Sequence, residues 1–517
     1  MLENFQPSIP SNPTSTKDNL DFMNYLHSIR LIPVIALCVG ASWGSAPLRA
    51  QSNDAELQQM RATMQEMAKT IQVLQNRVAD LEKKEAVKKK EGIAAPSGTP
   101  AAKPSAFAVG APGAPQPVTT GTSNTSDRNT FLDDQWPAPR VNNAPIDPSL
   151  KGFLQIPGTS TIIKLGGSAR LDAIADDSNN GNPNEFIPSS FPVPGQPNAG
   201  SPSRSQIQAK ASRVTFELRR PIGQENNLRI YYENDFFGDA SSSTMTYRLR
   251  HFYGQAWNFL VGQTFSNFMD VDAFPDVIDY EGPNGLVNTR SPQVRYTEPF
   301  LDTKLQLAFA VEQPNSQINT GNAAFGHGAS TVNRMPDLTA HLRYEEKKIG
   351  HIQLSGIYRY LSFDNDHDGQ GVSGWGVSLA GSLNLFAHDT LTAEGTYGEG
   401  IARYIQDPSG LGEDAALDGH GNLRALPVWG VAVGYTHQWI DKWKSTVSYG
   451  YAHVDNEASN GEFAYDHSNY VSANLIYQWT PSFRMGLEYL YGTNEVRNGA
   501  SHDGQRLNFV VKYDLVK

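Results

Sequence analysis

Across the last 367 residues, apolar and polar side chains take turns with a period of two, segment after segment, to the end of the chain. The cleanest runs carry Ile163, Leu165, Gly167, Ala169 and Leu171; Leu305, Leu307, Phe309 and Val311; Trp375, Val377, Leu379, Gly381, Leu383 and Leu385; Phe483, Met485, Leu487, Tyr489 and Tyr491; and Leu507, Phe509, Val511, Tyr513 and Leu515. Lys, Ser, Asn, Gln, Arg and Gly fill the positions between. Such a period makes strands with one apolar and one polar face. Sixteen segments of this kind are centred near residues 168, 216, 231, 250, 262, 296, 308, 341, 357, 380, 394, 433, 449, 474, 487 and 511. The number is even, as closure of an up-and-down barrel requires.

The connections alternate in length. Short ones fall at Pro221–Asn227, Gly254–Asn258, Pro299–Asp302, Glu345–Gly350, Phe386–Asp389, Trp439–Lys442 and Thr480–Ser482; the longer ones are roughly 176–212, 237–246, 266–292, 313–336, 364–373, 401–426, 455–467 and 493–504. Short turns at one end and long loops at the other predict an all-β fold, a 16-stranded antiparallel transmembrane β-barrel over residues 151–517 with both barrel ends on the periplasmic side. Trp257, Trp439, Trp443 and Trp479 by short turns, with Trp375 and Trp429 by long loops, fit two interfacial girdles. A soluble sandwich or propeller would not need the alternation in loop length.

Composition removes the competitors. The mean hydropathy of -0.44 is too low for a bundle of membrane helices, and no run approaches the roughly 18 to 20 apolar residues of a helical span. One cysteine rules out a disulfide framework and multi-cysteine metal sites, and a net charge of -11 without a basic block argues against nucleic acid as partner.

The N-terminal part has a different grammar. Residues 1–50 read as a signal peptide region with its start at Met23: a weakly basic segment, an apolar run from Leu31 to Gly40, small residues, and Ala50 as the last residue before cleavage. From Leu57, apolar residues at Met60, Met64, Met67, Ile71, Leu74, Val78 and Leu81 keep a 3,4 spacing over four heptads. That spacing predicts a periplasmic α-helical coiled coil over 51–91 and hence a homo-oligomer, with strand number left open. Residues 92–150, rich in Pro, Ala and Gly, read as a linker.

Strict alternation also determines what faces the lumen, and that set is rich in arginine: Arg170, Arg213, Arg229, Arg248, Arg250, Arg295 and Arg359 are the candidate pore residues, with Lys164, Arg219, Lys304, Arg343 and Arg484 in the same set. Acids such as Asp172, Glu217, Glu233, Glu394 and Glu488 are fewer, and some arginines are expected only to pair with them. A wall of guanidinium groups attracts anions and grips carboxylates, so the expected solute is a small anion. The connection after the fifth strand, Asn267 to Thr289, carries Asp270, Asp272, Asp276, Asp279 and Glu281 among Phe268, Phe274 and Tyr280; folded inward it would narrow the lumen and set acids opposite arginines. Asp364, Asp366 and Asp368 occupy positions 1, 3 and 5 of a calcium-type loop, but position 12 is Trp375 in place of the bidentate glutamate, which leaves a solvated turn as the default. No nucleophile with a base, phosphate loop or histidine pair at ligand spacing stands out, so neither an enzyme nor a cofactor is expected.

"LGGSARLDAI" opens the barrel, "YRLRHFYGQAWNFLVGQTFSNFMD" precedes the acidic connection, and "QVRYTEPF" follows it. With the order of signal, coiled coil, linker and barrel, these make the chain similar to the DcaP-like trimeric outer-membrane porins. The resemblance implies a trimer in the outer membrane, among lipid and lipopolysaccharide, passing organic anions such as dicarboxylates. The matching residues are Arg248, Arg250 and Arg295 beside the acidic connection, with Arg170 and Arg213 nearby. A trimer interface would also suit His251, which alternation sets on the outward face. The chain ends Asp514, Leu515, Val516, Lys517 instead of on an aromatic residue, although Phe509 and Tyr513 keep the usual spacing. The alternative is a structural anchor, in which the coiled coil and Lys83 to Lys90 tether the envelope to the cell wall.

Overall fold

The computed structural model describes residues 152–515 apart from 223–225, 240–241, 302, 320–329, 365–368 and 387. The signal region, coiled coil and linker assigned to residues 1–150 lie outside the described residues.

Within them each expected segment is a strand. In chain order these are β1 (Ile162–Asp176), β2 (Arg213–Ile222), β3 (Asn226–Asp235), β4 (Arg248–Ala256), β5 (Phe259–Phe265), β6 (Arg290–Phe300), β7 (Leu305–Glu312), β8 (Asp337–Glu346), β9 (Gly350–Asp364), β10 (Gln370–Leu385), β11 (Asp389–Glu399), β12 (Pro427–Ile440), β13 (Trp443–Val454), β14 (Tyr465–Thr480), β15 (Phe483–Val496) and β16 (Ser501–Asp514). Each pairs antiparallel with the next. The last returns to the first, from Ser168↔Asp514 to Asp176↔Arg506, so the sheet has no free edge. Closure satisfies the backbone groups that hydrocarbon cannot.

The two faces obey the period. Leu165, Leu171, Val377, Leu379, Val447, Leu475, Leu487 and Phe509 are exposed on the outside, while Arg359, Arg484, Glu488 and Arg506 are buried on the inside. This inverts the order of a soluble protein and suits a wall with lipid outside and polar contents within.

Turn chemistry follows from connection length. Trp257, Leu301, Thr303 and Phe386, in short connections, take positive φ of 51°, 49°, 73° and 48°, the left-handed backbone that tight hairpins require. At the other end, one connection expected to be long shrinks to residues 497–500. Thr493, Asn494 and Glu495 pair with Asp503, His502 and Ser501, so the β15–β16 ladder runs on past the point where alternation fades.

His251 departs from the expected face. The β3–β4 register shifts between Glu233↔His251 and Asn234↔Leu249, leaving Arg250 as an extra residue. This β-bulge turns Arg250 and His251 both into buried positions and returns Phe252 to the outside. His251 then meets Thr264 Oγ1 through Nδ1 at 3.0 Å and packs edge-on against Phe265. It therefore does not face a neighbouring subunit, and the interface argument built on it falls.

Replacing Leu475, exposed on the outward face of β14, with Arg should lower the unfolding free energy in lipid vesicles by about 2 to 4 kcal/mol if it lies near the bilayer midplane. Denaturant titration followed by tryptophan fluorescence measures it.

Candidate functional site

The inner wall carries more charge than a protein interior accepts unpaired, and register decides which groups meet. On β1, Arg170 holds Asp172 at 2.5 Å. Glu217 of β2 takes both Arg219 and Arg229, at 2.7 and 2.8 Å. On β8 and β9, Arg343 reaches Glu345, and Arg359 reaches Asp337 and Asp414 at 3.1 and 2.9 Å. Arg295 is buried on β6, donating to Gln293 Oε1 and to the Phe265 carbonyl. Most members of the arginine set are thus held by the wall itself.

A larger cluster joins β2, β3 and β4. Arg213, Arg248 and Arg250 share the carboxylates of Glu233 and Asp235: Arg213–Glu233 is 3.4 Å, Arg248–Asp235 2.7 Å, Arg250–Glu233 2.6 Å and Arg250–Asp235 3.1 Å. The β4 bulge brings Arg250 and Arg248 to one carboxylate, that of Asp235. Arg248 stays about a third exposed while Arg250 is sealed.

The connection 266–289 is bound along its whole length to inward side chains. Ser266 Oγ and Asn267 N donate to Glu312, at 3.0 and 2.7 Å. Asp270 takes Arg343 at 2.9 Å and His351 at 2.7 Å, and Asp272 takes Arg343 at 2.7 Å. Asp276 pairs with Lys444. The Ile278 and Asp279 amides donate to Glu488, the Ile278 carbonyl accepts from Arg170, and the Val287 amide donates to Glu394 at 2.6 Å. Phe268, Met269 and Val271 pack with Ile401, Tyr404 and Val428. Burial works against the Asp270 charge, but His351 and Arg343 hold its carboxyl below the usual range.

Glycines make room for this seat. A Cβ on Gly434 of β12 would lie 2.3 Å from Pro275 Cβ, and one on Gly450 of β13 would lie 2.4 Å from Asn284 Oδ1. Both are inward positions of the period.

A cavity of about 570 Å³ opens beside the segment, lined among others by Arg248, Arg250, Arg290, Tyr280, Glu185, Glu281 and Asp407. Tyr280 bridges the parts: its hydroxyl meets Arg248 at 2.9 Å and also contacts Arg250 and Asp235. Burial pushes the Glu185 carboxyl up to about 7 and that of Asp407 up to about 6. Glu281 is raised by burial and then by the neighbouring acids Glu185, Asp279 and Asp407. Asp279, raised by burial, accepts from the Phe186 and Gly282 amides.

Of the seven expected pore arginines, Arg248 and Arg250 line this cavity, while Arg170, Arg213, Arg229, Arg295 and Arg359 do not. Arg290, Glu185 and Asp407 went unread because they sit at a strand start or in connections, where the period says nothing. Arg506 was legible as an inward position of β16, opposite the outward Leu507, and it pairs with Asp176 at 2.6 Å. Of the calcium-type loop, Asp364 lies 3.7 Å from Arg334; Asp366 and Asp368 fall outside the described residues.

Residues 154–515 match the family model described as DcaP outer membrane protein. Among solved structures, the chain is similar to the crystal structure of the outer membrane channel DcaP of Acinetobacter baumannii, with 23% identity, a TM-score of 0.61, and coverage of 70% of this chain and 99% of that one. Looser matches include the anion-selective porin from Comamonas acidovorans, at 10% identity, TM-score 0.43 and coverage of 69% and 100%. Another is OmpF of Salmonella typhi in complex with daunomycin, at 10% identity, TM-score 0.44 and coverage of 70% and 100%. No curated protein matches in sequence.

Gly434→Leu should force Pro275 off β12 and raise single-channel conductance while the barrel still forms. Planar-bilayer recording on protein whose folded band shifts on boiling tests this; unchanged conductance would mean the seat does not set the aperture.

Proposed function

This chain belongs to the DcaP outer membrane protein family, and from that premise we propose that it is an outer-membrane porin for passive diffusion of small anionic solutes, organic carboxylates and dicarboxylates. The segment 266–289 narrows the lumen, and the cavity beside it is the selective part of the path. The observation that carries this reading is the arginine lining of that cavity, Arg248, Arg250 and Arg290, with Arg248 about a third exposed there. Glu185, Glu281 and Asp407, the carboxyls lining the same cavity, are all shifted by burial toward their neutral forms. Shifts in that direction leave the lining arginines less opposed, although the whole chain carries -11. A fixed guanidinium beside a narrow path raises the local concentration of anions and pairs with a carboxylate in two-point fashion.

The same proposal extends to assembly. The barrels form a trimer, and the N-terminal part stands in the periplasm.

Substituting Arg248 and Arg290 together with Ala should cut the anion-over-cation permeability ratio about fivefold. That corresponds to about 1 kcal/mol, the interaction of unit charges 4 Å apart in water. Reversal potentials in a salt gradient measure the ratio, and wild-type selectivity in the double variant would overturn the assignment of the filter.

Proton uptake has a defined direction. As pH falls from 8 to 5, the cavity carboxyls near 7 and 6, Glu185 and Asp407, lose negative charge while the arginines keep theirs. Anion preference should rise across that window, and Glu185→Gln should flatten its upper part. A preference that falls on acidification would contradict the cavity as the filter.

A further inference from the structure

We propose that the outward face of β13–β15, at the end of the barrel that carries the long connections, holds a divalent transition-metal site formed by His453, Asp466 and His467. The site is separate from the lumen and independent of the function proposed above.

Its core is a cross-strand pair. His453 of β13 and His467 of β14 are direct partners in the ladder, with ring centroids 6.4 Å apart. Alternation alone would send Asp466 to the opposite face from His467. The β14–β15 register shifts between Tyr465 and His467, however, and Tyr465 and Ser468 take the buried positions while Asp466 and His467 stay partly exposed. The irregularity thus delivers three ligand-bearing side chains to one spot.

The distances suit coordination. Asp466 Oδ1 lies 2.7 Å from His467 Nδ1 and 3.7 Å from His453 Nδ1. One ligand atom from each residue falls within 4.8 Å of the others, the one such group of three found among the described residues. In a tetrahedral zinc site with arms of about 2.1 Å, ligand atoms are about 3.4 Å apart. The two carboxylate edges bracket that value, and the partly exposed rings can rotate to close the remaining one. His453 Nδ1 is buried and has no hydrogen-bond partner among the described residues, which leaves it available as a ligand atom.

The second ring nitrogens face carboxylates as well. His453 Nε2 lies 2.9 Å from Asp455 Oδ1, and His467 Nε2 lies 3.7 Å from Glu495 Oε2 on β15. The Asp455 carboxylate at Nε2 fixes the His453 tautomer that presents Nδ1 as a lone pair, and Glu495 stands where it can take up the same role at His467 once Nδ1 gives up its proton to bind the metal. Trp429 and Tyr451 hold the planes, with centroids 6.1 Å from His453 and 5.7 Å from His467. Two imidazoles and one carboxylate select zinc, copper or nickel over calcium and magnesium, which take oxygen ligands. Any proton shared between His467 Nδ1 and Asp466 leaves to solvent on binding.

The test uses the full chain, untagged, purified in detergent and stripped with EDTA that is then removed. Titration with ZnCl2 by calorimetry should show one saturable site per chain. His453→Ala and His467→Ala should each abolish it, with heat-shifted gel mobility reporting that the barrel has formed. Bound to the wild type, Cu2+ should give an electron paramagnetic resonance spectrum with two nitrogen ligands. Asp455→Asn and Glu495→Gln should keep that spectrum and weaken zinc binding by about 10-fold or more. The absence of a saturable site, a copper spectrum without nitrogen coupling, or binding unchanged in either histidine variant would overturn the proposal.

Discussion

Everything in this molecule depends on the closing of the sheet. In hydrocarbon a free strand edge leaves a row of amide and carbonyl groups with no water to meet them, so β16 must come back to β1. The ladder from Ser168↔Asp514 to Asp176↔Arg506 does this. Closure also determines the two faces. Because side chains alternate, apolar residues such as Leu487 and Phe509 take the outside, and charged ones such as Arg484 and Glu488 are turned into the interior.

A polar interior poses its own electrostatic problem, and the molecule answers it by pairing. Arg343 is matched by Asp270 and Asp272 of the segment 266–289, and Glu488 is matched by the amides of Ile278 and Asp279. The segment is thus a counter-charge for the wall as well as a constriction in the proposed path. The proposed filter lies where Arg248 and Arg250 reach the cavity beside that segment. The net charge of -11 is no guide to that site, because charge exposed to solvent is screened over short distances and charge beside a narrow cavity is screened less.

Two local breaks in the alternation bear most directly on chemistry. The bulge on β4 gathers Arg248 and Arg250 at Asp235 and buries His251. The irregularity at Asp466 turns that carboxylate toward His453 and His467. Both are places where the strict period would have sent a side chain to the other face. Small residues have the complementary role: Gly434 and Gly450 are blank positions in the inward pattern, and Pro275 and Asn284 occupy the space they leave.

The sequence by itself determined the strands and their number, the lipid-facing and lumen-facing sets, and the acidic character of the segment 266–289. These follow from a period of two, which is local and can be read without knowing which strands touch. Only the tertiary structure decided which arginines are neutralised, since Arg170 meets Asp172 on its own strand whereas Arg359 meets Asp414 from a distant connection. It also decided that Glu185, Arg290 and Asp407 join Arg248 in one cavity, and that His453 and His467 stand side by side. Pairing depends on register, bulges and the curvature of the closed wall, and these arise from contacts between segments far apart in the chain.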